Sequence, residues 1–261
     1  MSDRIVLSVG RDVRRSPLLG HTSHKDAVGD GARPGSKEIA ALRERVMSQP
    51  RHGGRCHFCH LAFGLSHHFE VHHLDGDHGN DSPANTAPIC MLCHAPWHLD
   101  LVLQRWPGDP GAIIYLPEIS QSELNVTLYA LFYHSAATIS PIPPPERENP
   151  SGPPPVPLID ESTRVAARVY ERLALRADEV ERVDGQVVRP GLSSVHAMVR
   201  LLQSMDDDEY ARRAITLSGC RYLPPYMPML QQSEEHARGG SFFNRLQIDS
   251  WQSIAQAHGA Y

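Results

Sequence analysis

The sequence predicts an α+β protein, with a metal-stapled core in its N-terminal half and a mainly helical C-terminal half. Three observations support this class. Two C-x2-C pairs lie among short strand-like segments, the residues beyond 161 show helical periodicity, and a proline-rich stretch separates the two halves. A chain of 261 residues can form one large or two small domains, and no apolar run approaches the roughly 18 residues that a membrane span needs.

The elements of the first half follow from local patterns. Alternation in RIVLSV predicts a strand over 4–9, and a serine-capped apolar stripe that ends before a proline predicts a helix over 36–49. A Cys/His module follows at 54–103, and AIIYL predicts a strand over 112–116. Ser120 and Glu123 have the spacing of a capping box, which predicts a helix that begins there and runs to about residue 137.

The proline-rich stretch predicts the domain boundary. Residues 141–157 contain nine prolines in seventeen positions, which excludes a helix or a central strand. We therefore expect a domain at 1–140, a linker at 141–160 and a helical domain at 161–261. Within the last domain, periodicity predicts helices over 161–182, 193–204, 207–218 and 241–257.

Charge is distributed unevenly along the chain. The formal net charge is −5, but the first 55 residues carry +5, which leaves −10 on the remainder. This balance excludes a globally basic nucleic-acid-binding protein. The N-terminal residues contain no apolar stretch typical of a secretory signal, so we expect a cytoplasmic protein.

The paired cysteines predict a structural zinc site. Cys56, Cys59, Cys90 and Cys93 form two C-x2-C pairs separated by thirty residues. Each C-x2-C pair can present two thiolates from a tight turn, so that the two pairs together supply four thiolates in tetrahedral geometry. In a reducing cytosol, such pairs bind a metal more often than they form disulfides. Cys220 stands alone, and we interpret it as an ordinary buried thiol.

Histidines are concentrated in the same region, since ten of the sixteen lie between residues 52 and 98. A strand ending in a tandem histidine, a turn, an asparagine and C-x2-C-H-x3-H over residues 54–98 resembles the HNH, or ββα-metal, nucleases. The resemblance implies His72, His94 and His98 as ligands of a second divalent ion (Mg, Mn, Ni or Zn), His73 as general base and Asn85 as the residue that fixes the adjacent loop. Phosphodiester hydrolysis needs a base that activates water and a divalent ion that stabilises charge on the leaving oxygen.

The local charge is unfavourable for a nuclease. Residues 52–98 contain one arginine and four acidic residues, which gives this region a net charge of −3. Phosphate binding generally needs lysine and arginine near the chemistry. Whether the chain is an enzyme therefore stays open at this point.

A second resemblance extends over nearly the whole chain. The segment IIYLPEISQSELNVTLYALFYHSA, together with RIVLSV, CHFC, LDGD, CMLC and CRYLP in this order, resembles the IcmJ (DotN) family of type IVB secretion systems. This resemblance implies a zinc-bound, HNH-like subunit of a coupling complex that binds a coupling ATPase at the inner face of the inner membrane. The sequence departs from a member of this family, which keeps the four cysteines, in having His72, His73 and His94.

Three functional interpretations follow. The preferred one is a cytoplasmic subunit of a type IVB-like secretion or conjugation coupling complex, which would contact nucleic acid only if it were also a nuclease. The alternative is a metal-dependent HNH endonuclease that cleaves DNA with His73 as general base. The third is a zinc-stabilised interaction module unrelated to secretion. The sequence does not identify the partner, the transported substrate or the oligomeric state.

Overall fold

The structure is a computed structural model that describes residues 5–10, 37–63, 69–76, 80–139, 161–183, 186–187 and 190–230. The proline-rich stretch and the helix expected over 241–257 lie outside the described residues. The division into domains at 141–160 therefore stays a prediction.

Helices and short two-stranded sheets alternate along the described chain. The helices are α1 (Lys37–Met47), α2 (Met91–His94), α3 (Leu99–Arg105), α4 (Gln121–Ile139), α5 (Glu161–Leu175), α6 (Ala177–Glu181), α7 (Val195–Ser204), α8 (Asp207–Ala211) and α9 (Arg213–Thr216), with a 3-10 turn at Ala95–Trp97. The strands are β1 (Glu70–His73), β2 (Thr86–Ile89), β3 (Ala112–Tyr115), β4 (Arg182–Val183), β5 (Gln186–Val187) and β6 (Cys220–Leu223). These elements form the mixed α+β architecture that the sequence predicts.

A hairpin followed by a helix contains several of the candidate metal ligands, with His72 on the hairpin and Cys93 and His94 on the helix. Strands β1 and β2 pair antiparallel, with Val71 opposite Pro88, and α2 begins two residues after β2 ends. Helix α1 covers this hairpin because Leu42 and Val46 lie on its apolar stripe and pack with Phe69.

The second half of the chain pairs with the first through another sheet. Strand β3 pairs antiparallel with β6, so that Ala112 lies opposite Leu223. The glycine that precedes β3 is required by this pairing. Gly111 has φ +78°, and a Cβ atom there would lie 2.2 Å from the carbonyl oxygen of Leu223.

The chain forms two compact units. The first contains residues 1–126 and 174–225 and includes the Cys/His module and the β3–β6 sheet. The second contains residues 127–173 and 226–261, where the rings of Phe132, Tyr170 and Tyr226 pack at centroid distances of 5.0–6.1 Å.

Three predictions about secondary structure need correction. Residues 5–10 do not form the expected strand, because the amide and carbonyl of Ser8 bond to Pro96 and Leu99, at the ends of helical segments, and not to a neighbouring strand. The helix expected over 161–182 is divided into α5 and α6, and the helix expected over 207–218 is divided into α8 and α9 at Arg212. Within the described ranges, no helix is both long and apolar enough to cross a bilayer.

Candidate metal centres

The four paired cysteines converge in the structure, and we call them the cysteine cluster. Cys56 and Cys59 lie in a turn in which His60 adopts φ +58°, while Cys90 and Cys93 flank the start of α2. Their four Sγ atoms lie within 4.8 Å of one another, and those of Cys59 and Cys90 are 3.7 Å apart. Tetrahedral zinc with Zn–S bonds of about 2.3 Å separates its sulfurs by about 3.8 Å. The cysteine cluster can therefore hold a metal ion such as zinc.

Close packing of the buried thiols changes the pKa of three of them in opposite directions. Burial raises the pKa of the Cys56 thiol, but hydrogen bonds from Cys59, Cys90 and Cys93 outweigh burial and lower it overall. For Cys90 and Cys93, burial and the neighbouring thiols raise the pKa well above its usual value. A divalent cation would compensate for ionisation of the whole set, which is the chemistry of a closed cysteine site.

A buried amide network supports the cysteine cluster from helix α4. The Asn125 side chain donates to Cys93 Sγ at 3.3 Å and to the Leu92 carbonyl at 2.9 Å. Gln121, one turn earlier, donates to the Asn125 side-chain oxygen and exchanges two hydrogen bonds with the backbone of Tyr222 in β6. This network links the cysteine cluster to the β3–β6 sheet. Neither amide is predicted above from the sequence. The pattern that indicates them is a pair of polar residues four positions apart, next to the leucines Leu124 and Leu128, which are buried in α4.

Three histidines form a second group, which we call the histidine cluster. His72 lies on β1, His94 ends α2, and His98 precedes α3. One ring nitrogen of each lies within 4.8 Å of the others, and all three side chains are at most 6% exposed. Three imidazoles with one remaining position are the ligand set of many catalytic zinc sites.

Glu70 orients one member of the histidine cluster. Its carboxylate lies 2.7 Å from Nδ1 of His94, and its other oxygen accepts a hydrogen bond from Arg105. Burial would raise the pKa of Glu70, but His94 and then Arg105 outweigh burial and lower it to about 2. The ionised carboxylate can only accept, so Nδ1 of His94 donates, and Nε2, buried and without a hydrogen-bond partner among the described residues, is the ring nitrogen that could bind a metal.

From the sequence, Glu70 is expected only as one of the four acidic residues of this region. The available signal was its place two residues before His72, because alternate residues of a strand project from the same face.

His73 and Asn85 lie outside the histidine cluster. Adjacent residues of a strand face opposite sides, and Nε2 of His73 lies 2.9 Å from an Asp81 carboxylate oxygen. The Asn85 side chain accepts from the Asp75 amide at 2.9 Å and donates to the Asn80 carbonyl at 2.8 Å. Asn85 thus connects the backbones of Asp75 and Asn80, which follow His73 in the chain.

Three arginines of this region donate to other groups of the protein. Arg51 donates to the carbonyls of residues 83, 84 and 86, and Arg55 donates to the His60 carbonyl at 3.1 Å. Arg105 is paired with Glu70. These contacts use guanidinium donors that would otherwise bind a phosphate.

Together the described residues define an α+β protein with a four-cysteine centre that could hold a metal ion such as zinc. No family model matches the chain. The chain is similar to the type 4 apparatus protein DotN of Legionella pneumophila, with 29% identity over 101 residues that cover 39% of this chain and 45% of DotN. The match thus spans less than half the length of that relative. It supports the family resemblance over 39% of the chain, whereas the sequence predicts it over nearly the whole chain.

Proposed function

We propose that this chain is a zinc-binding subunit of a type IVB-like secretion or conjugation coupling complex, and that it assembles with the coupling ATPase. Through its partners it would lie at the inner face of the inner membrane, in the cytoplasm. The observation that carries the proposal is the similarity to DotN, a type 4 apparatus protein.

Two properties of the site support an assembly role. The cysteine cluster is closed, with Cys56, Cys90 and Cys93 at most 2% exposed, and closed cysteine sites stabilise folds and do not catalyse. The module also carries a net charge of −3, and its nearby arginines bind internal carbonyls and Glu70. The first property favours a structural role over a catalytic one, and the second favours protein partners over nucleic acid.

Co-purification tests this proposal. The full chain should form a stable complex with the coupling ATPase encoded at the same locus when the two are co-expressed. Cys93→Ser should abolish the complex with loss of zinc, whereas Cys220→Ser, which changes a thiol outside the cysteine cluster, should preserve both. Failure of the zinc-loaded wild-type chain to associate would contradict the proposal.

A second candidate function is an HNH-like, metal-dependent endonuclease. It is favoured by the histidine cluster, whose donor set fits a divalent ion, and by the hydrogen bonds of Asn85 to residues that follow His73 in the chain. A divalent ion bound there would stabilise negative charge on the leaving oxygen. His73 would accept the proton of the attacking water, with Asp81 orienting its ring.

Plasmid cleavage distinguishes the two functions. We expect no cleavage by the wild-type chain with Mg²⁺, Mn²⁺ or Ni²⁺, because the charge of −3 repels the substrate. If the wild type cleaves DNA and His73→Ala lowers the rate at least the roughly 10²-fold typical of a general base, with zinc content unchanged, the endonuclease function replaces the assembly function.

A further inference from the structure

Helix α7 borders an apolar surface groove of about 400 Å³ in the first compact unit. Ala197, Leu201 and Met205 line it at four-residue spacing, which places them on one face over successive turns. Leu192 and Leu217 add apolar walls, and Thr216 is the one polar side chain in the described lining.

The groove gives α7 a second apolar face. Its core face consists of Val195, Met198, Val199 and Leu202, all buried. Ala197 and Leu201 lie away from that face and remain half-buried, and Met205 continues the stripe at the helix end. A helix that is apolar on two sides is typical of one covered on both.

An acidic segment adjoins the Met205 end of the groove. The four residues 206–209 are all acidic and exposed. The capping box of α8 uses Asp206 and Glu209, whereas Asp207 and Asp208 add negative charge beyond what the cap requires. Arg212 and Arg213 follow, and Arg212 donates to the Asp208 carbonyl, so that residues 206–213 keep a net charge of −2.

The lining also indicates the shape of the occupant. Small-ligand sites present several convergent polar groups that fix orientation, and one threonine does not provide them. The stripe from Ala197 to Met205 spans about 12 Å, which matches two to three turns of a second helix. Apolar anchors at i, i+4 and i+7 would pack along such a stripe.

We propose that this groove binds an amphipathic α-helix of a partner protein, with its apolar anchors against Leu201 and Met205 and with lysine or arginine residues beside Asp207 and Asp208. The acidic end selects a basic helix and disfavours an acidic one. This inference goes beyond the proposed function and depends neither on a secretion partner nor on the histidine cluster.

Peptide binding to the full, zinc-loaded chain tests it. The probe is a fluorescent amphipathic peptide of about 18 residues, with leucines at i, i+4 and i+7 and lysines at one end, compared with the same peptide carrying glutamates. We expect the basic peptide to bind at least about tenfold more tightly than the acidic one, with an affinity that falls as salt is added. Leu201→Glu should weaken binding at least about tenfold.

Two control variants distinguish binding at the groove from a general effect of added charge on the protein. Gln203→Glu adds the same charge at an exposed position of α7 outside the groove and should leave the affinity unchanged. The double variant Asp207→Lys with Asp208→Lys leaves the groove intact and should reverse the peptide preference, which keeps the test valid if Leu201→Glu fails to fold.

Three results of the peptide measurements would overturn the inference. They are absence of binding by the basic peptide, equal binding of the two peptides, and unchanged affinity in a folded Leu201→Glu variant. A concentration-dependent dimer that Leu201→Glu dissociates would also overturn it, because the occupant would then be a second copy of this chain.

Discussion

Glu70 determines which nitrogen of His94 faces the histidine cluster. Because its carboxylate accepts from Nδ1, the atom left to bind a metal would be Nε2. Carboxylate partners of this kind raise the basicity of the imidazole and fix its ring, and their loss generally costs 10- to 100-fold in metal affinity.

We therefore predict that Glu70→Gln weakens divalent-ion binding at the histidine cluster by about 10- to 100-fold. Titration calorimetry with Ni²⁺, on protein whose cysteine cluster already contains zinc, measures this. Glu118→Gln is the matched control, since Glu118 also pairs with an arginine, Arg176, but far from the histidines in the sequence. Equal Ni²⁺ affinity of the wild type and Glu70→Gln would contradict the prediction.

The two buried hydrogen bonds donated by Asn125 contribute to the stability of the fold. Asn125→Ala removes the donors to Cys93 Sγ and the Leu92 carbonyl and leaves both buried acceptors with one partner fewer. We expect the free energy of unfolding to fall by about 1–3 kcal/mol, measured by urea denaturation. Gln203→Ala, an exposed change on α7, should alter it by less than about 0.5 kcal/mol. A similar effect of both changes would show that the network contributes nothing specific.

Among elements, those with strong local signals were predictable. The stripe of α1, with Leu42 and Val46, the capping box at Ser120 and Glu123, and the convergence of the four cysteines all follow from spacing within a few residues or from shared metal chemistry. Periodicity also predicted α7 and β3 within two residues of their observed ends.

Elements whose formation depends on distant partners were not predictable. The pattern in RIVLSV is typical of a strand, but its backbone groups bond to the 3-10 turn and to α3, which no local pattern reveals. The pairing of β3 with β6 joins residues more than one hundred positions apart, and the Gln121 contacts with Tyr222 depend on it. Long-range contacts of this kind leave no periodic signal in a single sequence.

The pairing of β3 with β6 leaves no room for a side chain at residue 111. Gly111→Ala places a Cβ atom against the Leu223 carbonyl at a positive φ, so it should lower the free energy of unfolding by at least about 2 kcal/mol. Gly108→Ala is the matched control, because no atom lies within 4 Å of its added Cβ. Chemical denaturation measures both, and a Gly111→Ala variant as stable as Gly108→Ala would contradict the observed pairing.

For the whole molecule, the cysteine cluster connects the parts of the first compact unit. It joins the turn after α1, the start of α2 and, through Asn125 and Gln121, strand β6. Ser8 adds a further link, since its backbone bonds to Pro96 and Leu99 while its hydroxyl accepts from Arg213. Loss of the metal would therefore affect segments far apart in the sequence.

We predict that the purified chain contains about one tightly bound zinc, and that Cys93→Ser removes it together with the fold of the first compact unit. The reason is that the binding energy of a structural zinc, about 10–16 kcal/mol in small zinc domains, exceeds the usual stability of a domain. Metal analysis and limited proteolysis measure the two effects. Cys220→Ser changes a half-buried thiol outside the cysteine cluster and should retain both zinc and protease resistance.

Chelation provides an independent measurement of the same coupling. Removal of zinc from the wild type should expose cleavage sites both near the Cys/His module and in residues 190–225, because Asn125 and Gln121 transmit the loss to β6. Cleavage confined to the Cys/His module would mean that the β3–β6 sheet folds without the metal. Well-folded protein that contains no zinc would contradict a structural role for the cysteine cluster altogether.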